Sequence, residues 1–438
     1  MPEAAGPPDP GLPGLGLSDP GQAEVTVLPT GARIWTQRSA SAHSFVIGLW
    51  MRVGSRDEAP GQYGSTHFLE HLLFKGTKIR SAEEIAVAFD AVGGEFNAAT
   101  AKESTCYYAR VLGTHSDLAI DLLTDMLTSS VIDRLDFEVE RGVILEELAM
   151  NQDDPEDVAH EAFASAVYAG HPLARPIGGR PEDIQAVTRD SVWDHYQRHY
   201  RPQNLVVTAS GSLEHDRVVE LVSEALERGG WGLDAAGSHE PAALRPVRPQ
   251  AALPVKGEMV GLGRPTEQVQ VLVGCEGLIA TDPRRHALAV LGAILGGGMS
   301  SRLFQEIRAK RGLAYSAYCF ISGHSDAGSF GLYAGCGPAS AAEVTTLMES
   351  EWERLAREGL RPGELERAKG QIAGGTLLSL EDPYSPMNRL GQAATLMGEL
   401  PPVREVIARI EAVTGDQVRD LAAELGARPR SRVVVGPA

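Results

Sequence analysis

Two histidines four residues apart, His67 and His71, enclose Glu70 in the run Ser65-Thr66-His67-Phe68-Leu69-Glu70-His71-Leu72-Leu73-Phe74. An α-helix makes one turn in 3.6 residues, so both imidazoles share a face and can grip a single metal ion. Glu70 falls on that face too, where a carboxylate beside a metal can move protons. Phe68, Leu69, Leu72 and Leu73 fall on the other side and are expected to pack into a core. Ser65 or Thr66 is expected to cap the helix start, and Gly76 to stop it. The chain holds 12 histidines, so a chance match is a real alternative. A second pair four apart, His195 and His199, has no carboxylate between them and reads as packing or surface histidines.

A catalytic zinc takes three protein ligands and keeps a fourth position open for water. The acidic helical stretch 136–148 is the best supplier of the third. Within it Glu140 and Glu147 are seven apart and share a face, while Glu146 points elsewhere. Acidic helical residues are usually solvated, so spacing leaves open whether either one is a ligand.

These helices need sheets behind them. The runs 44–50 and 268–273 read as β-strands, and 95–111 alternates enough to read as one strand. Helical stretches separate the β runs, which points to an α+β fold of layered helices on sheets. The chain also repeats itself. Glu140-Arg141 recurs as Glu366-Arg367 (366 − 140 = 226), Asp154-Pro155 as Asp382-Pro383 (382 − 154 = 228), and Ala186-Val187-Thr188 as Ala412-Val413-Thr414 (412 − 186 = 226). Nearly one offset for three matches implies two related halves. The expected layout is a Pro/Gly-rich tail over 1–23, a zinc-binding half over 24–230, a linker over 231–256, and a second half over 257–438. At the common offset Glu147 maps near Ala373, and His67 and His71 near Ala293 and Gly297. The second half is therefore expected to lack the site. Gly296-Gly297-Gly298 has no following Gly-Lys-Ser/Thr and is not read as a phosphate loop.

With 438 residues the chain has room for several domains, and its formal net charge of −18 argues against nucleic-acid binding. No apolar run is long enough to span a membrane. Residues 1–24 lack the basic start and apolar core of a secretion signal, which favours a cytoplasmic protein. The four cysteines are scattered without a C-x-x-C pair, leaving metal binding to His and Glu.

His67-x-x-Glu70-His71 with Glu140-Arg141 and Glu147 resembles the pitrilysin family of zinc peptidases, the inverzincins. Within that family the chain is most similar to the branch of the mitochondrial processing peptidase β subunit and its bacterial relatives. The resemblance covers nearly the whole chain. It includes Gly93 to Thr100 with Glu103, Thr105 and Tyr107, then Asp154-Pro155, His171-Pro172-Leu173 and 200–204. In the second half it includes Ser301-Arg302-Leu303-Phe304 and Arg308 to Ser316. It implies that His67, His71 and Glu147 bind one Zn²⁺, that Glu70 is the general base, and that Glu140 is a helper rather than a ligand. It implies a clamshell of two halves around a closed chamber, with Arg308 and Tyr315 of the silent half reaching the substrate. The glycine run falls where the mitochondrial α subunit has its glycine-rich substrate loop. Substrate, a peptide or presequence-like segment, is expected to pair as a strand beside Asn97 and Ala98. The expected function is a zinc endopeptidase. The alternatives are a catalytically silent scaffold, like the core subunits of the respiratory cytochrome bc1 complex, and a metallohydrolase for another substrate. A homodimer is the expected assembly, with a related non-catalytic partner as the variant, and no nucleic-acid or membrane partner is expected.

Overall fold

Strand-forming runs rich in Val, Ile and Leu assemble into two sheets. The computed structural model describes residues 23–232 and 257–437. Apart from residues 23, 231 and 232, the expected tail and linker lie outside the described residues.

The first sheet is built from β1 (Glu24–Val27), β2 (Arg33–Arg38), β3 (Ser44–Met51), β4 (Glu95–Thr100), β5 (Thr105–Leu112) and β6 (Leu205–Gly211), in the order β1-β2-β6-β3-β5-β4. The second holds β7 (Met259–Gly263), β8 (Val269–Glu276), β9 (Ala314–Gly323), β10 (Gly328–Cys336) and β11 (Ser431–Gly436), in the order β7-β11-β8-β10-β9. With β1 set aside the two orders are the same, strand for strand. Each sheet has one parallel pair, β2 with β6 and β7 with β11, among antiparallel neighbours. The expected α+β class and the internal repeat are both present. The repeated tripeptide has a local cause: Thr188 and Thr414 each cap a helix, accepting a hydrogen bond from the N–H of Ser191 and Gln417.

One expectation is corrected. The run 95–111 is not one strand but the hairpin β4–β5, turning at 101–104. Lys102-Glu103-Ser104 breaks the apolar alternation, and that break is the turn signal.

The halves interlock by exchanging helices. The helix Pro155–Val167 of the first half lays Val158, Phe163 and Val167 on Leu272, Tyr333, Val433 and Val435 of the second sheet. The helix Tyr384–Gln392 of the second half lies on β3 and β6 of the first. The fit there is close: a Cβ on Gly48 would stand 2.6 Å from Met387 Sδ, and one on Gly391 2.2 Å from Trp50 Cε2. The two hairpin tips also meet. Arg56 donates to Glu103 Oε1 (2.6 Å) and to both Asp326 oxygens (2.8 Å each), and the Ser325 N–H donates to Glu103 Oε2 (3.0 Å). All three charges are nearly shielded from water, so losing one partner leaves an uncompensated buried charge.

Several motif residues thus prove to be joints. Besides Glu103, Tyr107 Oη pairs with Tyr200 Oη (3.0 Å), and buried Arg302 forks onto Glu364 (2.9 and 2.7 Å). Gly296 serves close packing, since a Cβ there would meet the Cys319 backbone nitrogen at 2.2 Å. Among the described residues no helix is long and apolar enough to cross a membrane.

Candidate metal centre

The ligand helix spans Ser65–Leu72, followed by a 3₁₀ turn Leu73–Lys75 and then Gly76 at φ 121°. Phe68, Leu69, Leu72 and Leu73 are fully buried, as the apolar spacing requires. The expected cap is corrected. Gly64, in the left-handed region at φ 84°, precedes the helix, and Ser65 and Thr66 lie inside its first turn. Capping comes from Glu58, whose carboxylate accepts from the N–H groups of Gly64 (2.9 Å) and Thr66 (2.8 Å). Burial pushes the Glu58 carboxyl up to about 7, while those two N–H groups favour its charged form.

The second helix, Arg134–Asp153, is clamped to the first by Phe137 stacked on Phe68 at 4.4 Å between centroids. Arg141 lies over the Phe137 ring at 4.8 Å and donates to the carbonyls of Ile184 and Val187, tying this helix to the end of the short helix Pro181–Ala186. This packing brings Glu147 opposite the histidine pair. Its Oε1 is 3.6 Å from His67 Nε2 and its Oε2 3.4 Å from His71 Nε2. Ligands about 2.0–2.2 Å from a tetrahedral zinc stand roughly 3.3–3.6 Å apart. One donor atom from each of the three side chains lies within 4.8 Å of the others, so small side-chain adjustments would close the set on that ion. Among the described residues His67, His71 and Glu147 form the one group of three such side chains close enough to share a metal. Glu146 is exposed and points away.

Each imidazole is prepared differently. Glu140, 3% exposed, accepts from His71 Nδ1 at 3.0 Å and from Lys75 Nζ at 2.6 Å. A carboxylate only accepts, so Nδ1 carries the proton and Nε2 keeps its lone pair for a metal. Glu140 therefore stands behind a ligand and orients it. His67 is held by packing instead: its buried Nδ1 has no hydrogen-bond partner among the described residues, and a Cβ on Gly178 would come within 3.4 Å of it and 2.9 Å of Leu148. Burial, the largest effect, lowers the His67 pKa and keeps the ring neutral, the state that ligates. Replacing Glu140 with Ala should lower zinc affinity by about 10–100-fold, measured by competition with a fluorescent chelator. Unchanged affinity would mean that the His71 ring needs no such partner.

Glu70 lines the same cavity, of about 530 Å³, with His67, Glu147, Thr100 and Lys102. The Thr100 hydroxyl donates to Glu70 Oε2 at 2.5 Å. Burial lowers the Lys102 ammonium to about 8, with nearby Glu161 opposing that shift. Thr100 and Lys75 were not singled out by sequence reasoning. Thr100 ends the run Gly93 to Thr100, and Lys75 is one turn beyond His71, a spacing that pairs side chains.

The remaining candidates lie elsewhere. Asn97 is exposed on β4 and Ala98 buried beside it. Arg308 is stacked over Tyr315 at 4.2 Å and donates to its carbonyl (3.0 Å); Tyr315 is 75% exposed, and neither residue lines the zinc-side cavity. His195 is buried, with Nε2 3.1 Å from Thr66 Oγ1, so it packs behind the ligand helix. A larger cavity of about 830 Å³ opens in the second half, but its Arg285 and Arg409 are both committed to Glu399 at 3.3 Å.

Comparison with known proteins covers both the ligand helices and much of the rest of the chain. Residues 33–180 match the family model described as insulinase (peptidase family M16), and residues 186–372 that described as the peptidase M16 inactive domain. An uncharacterized zinc protease of Streptomyces coelicolor is 48% identical over 420 residues, covering 95% of this chain and 90% of that one. One from Bacillus subtilis is 35% identical over 419 residues, covering 93% and 96%. A protease from Helicobacter pylori has the same fold, with a TM-score of 0.87 at 22% identity over 96% of this chain and all (100%) of that one. Relatives alike over most of both chains, and two family models that follow one another along this chain, place it in peptidase family M16, the pitrilysin family.

Proposed function

We propose that the protein is a zinc-dependent endopeptidase that cuts peptides or unfolded, presequence-like segments, with Glu70 as general base. One observation carries the reading: the Glu70 carboxylate, fixed by Thr100, opens into the same cavity as His67 and Glu147. A zinc ion held by His67, His71 and Glu147 supplies Lewis acidity that makes water nucleophilic near neutral pH. Glu70 takes the proton from the attacking water and delivers it to the leaving amine. Thr100 keeps the Glu70 carboxylate turned toward the cavity, and Glu140 holds His71 in its ligating tautomer.

In this reading substrate lies along β4, the end strand of its sheet, which among the described residues has one unpaired edge. A peptide added there would be read through its main chain beside Asn97 and Ala98 and would reach Glu70 at Thr100. Arg308 and Tyr315 offer a guanidinium and a phenol from the second half to peptide carbonyls. A closed chamber between the halves, a homodimeric state and a cytoplasmic location belong to the same proposal. So does kinship with the processing-peptidase β branch, and a related non-catalytic partner is its variant. The names of the zinc-protease relatives support it, whereas the silent-scaffold alternative needs at least one of these groups to be lost.

The test is metal analysis of the purified protein beside cleavage of a mixed-sequence peptide library. The expected result is one zinc per chain and internal cuts that stop with a chelator and return with added zinc. Zinc-loaded protein that leaves every peptide uncut would overturn the reading.

A further inference from the structure

The free edge of β4 leads from the candidate centre to a second cavity. Going back from Thr100, side chains alternate between the two faces of the sheet. Ala98 and Thr100 turn toward the ligand helix, whereas Glu95, Asn97 and Ala99 line a cavity of about 540 Å³. Its walls come from both halves. Tyr108, opposite Asn97 on β5, meets Tyr384 of the exchanged helix edge to face at 5.7 Å and 81°, and Met387 supplies the floor.

The charged group of this cavity, Glu95, is already engaged, and Asn388 also lines the wall. Tyr384 Oη donates to Glu95 Oε2 at 2.6 Å, and Arg110 approaches the same carboxylate at 3.7 Å. The Tyr108 side chain stands beside Asn97, its partner across the two strands. The rings of Phe96, Tyr108 and Tyr384, with the edge of the largely buried Met387, are the apolar surface that an incoming group would meet. Edge-to-face ring contacts and sulfur–ring contacts both favour an aromatic guest over an aliphatic one. Charged guests would have to displace an existing pair.

We propose that this cavity is a specificity subsite for an aromatic side chain of a peptide strand added to β4. Asn97 and Glu95 lie three and five residues back from Thr100 (100 − 97 and 100 − 95). At roughly 3.3 Å per residue the guest side chain sits about 10–17 Å along the strand from the Glu70 contact. The subsite therefore selects about three to five residues away from the bond that is cut. Its register rests on the peptidase reading, but its capacity to bind does not.

The experiment uses the full chain with Glu70→Gln, loaded with zinc, so that bound peptides are not cut. Fluorescein-labelled decapeptides of Ala and Ser, each with one Phe at a successive position, are compared by fluorescence polarisation. Phe at one position should tighten binding by about tenfold or more over Ala. Added to this background, Tyr384→Ala should abolish that gain. Tyr384→Phe, which keeps the ring and loses only the hydroxyl bond to Glu95, should retain it. Tyr108→Ala tests the opposite wall and serves if the exchanged helix does not tolerate Tyr384→Ala. The proposal is overturned if Phe surpasses Ala at no position, or if the gain survives the alanine substitutions. Should zinc-loaded wild type leave the tightest peptide intact, the catalytic reading fails while the subsite stands.

Discussion

Glu70→Gln should keep zinc bound and lower peptide hydrolysis by about 10²–10⁴-fold, the contribution typical of a positioned general base. The substitution preserves shape: the amide oxygen can still accept the Thr100 hydroxyl that now binds Glu70 Oε2 at 2.5 Å. What is lost is the capacity to take a proton from water. The metal ligands are untouched, so zinc content measured by mass spectrometry should match wild type. That pairing separates a missing base from a damaged site. Mutant and wild type cleaving the same peptides at equal rates would remove Glu70 from the mechanism. Loss of zinc in the mutant would instead make Glu70 part of the metal centre.

The second large effect is expected at Glu147. Glu147→Gln replaces an anionic ligand with a neutral one and turns one of the two oxygens that face Nε2 of His67 (3.6 Å) and of His71 (3.4 Å) into an amide nitrogen. Two neutral imidazoles without a carboxylate hold zinc weakly, and affinity should fall by more than about 100-fold, beyond the loss typical of an outer partner. Glu146→Gln is the control, since its exposed side chain points away from the histidines. Titration against a chelator of known affinity reads both. If Glu146→Gln releases zinc and Glu147→Gln does not, the ligand assignment is wrong. The Glu147 side chain is 41% exposed, so its substitution leaves no buried hole and the fold should survive.

His67, Glu70 and His71 were legible because helix geometry is local: a period of 3.6 residues puts them on one face whatever surrounds them. The burial of Phe68, Leu69 and Leu72 followed from the same period. The two halves were legible from their repeated caps, since a Thr before a helix does the same work at 188 and at 414. The β4–β5 hairpin reads as one strand because its two strands alternate alike, and a four-residue turn interrupts that pattern only briefly. The helix cap was assigned to Ser65 or Thr66 because capping is usually done by an adjacent residue. Here the carboxylate arrives from Glu58, across a loop, and a loop's path is not written in any period.

Which acidic residue would face the histidines depended on tertiary structure. Glu140 and Glu147 share a helix face, and spacing treats them alike. The stacking of Phe137 on Phe68 fixes how the two helices meet, and that places Glu147 between the Nε2 atoms and Glu140 behind His71. The exchange of helices between halves, with Tyr384 reaching Glu95 and Arg56 joining Glu103 to Asp326, was likewise beyond pattern reading. Periodicity reports which side of an element is apolar. It does not report which partner covers that side, because that choice is made by shape and by the closure of charges far apart in the chain. The chemistry of the centre was therefore written locally, and its third ligand and its surroundings were decided by packing.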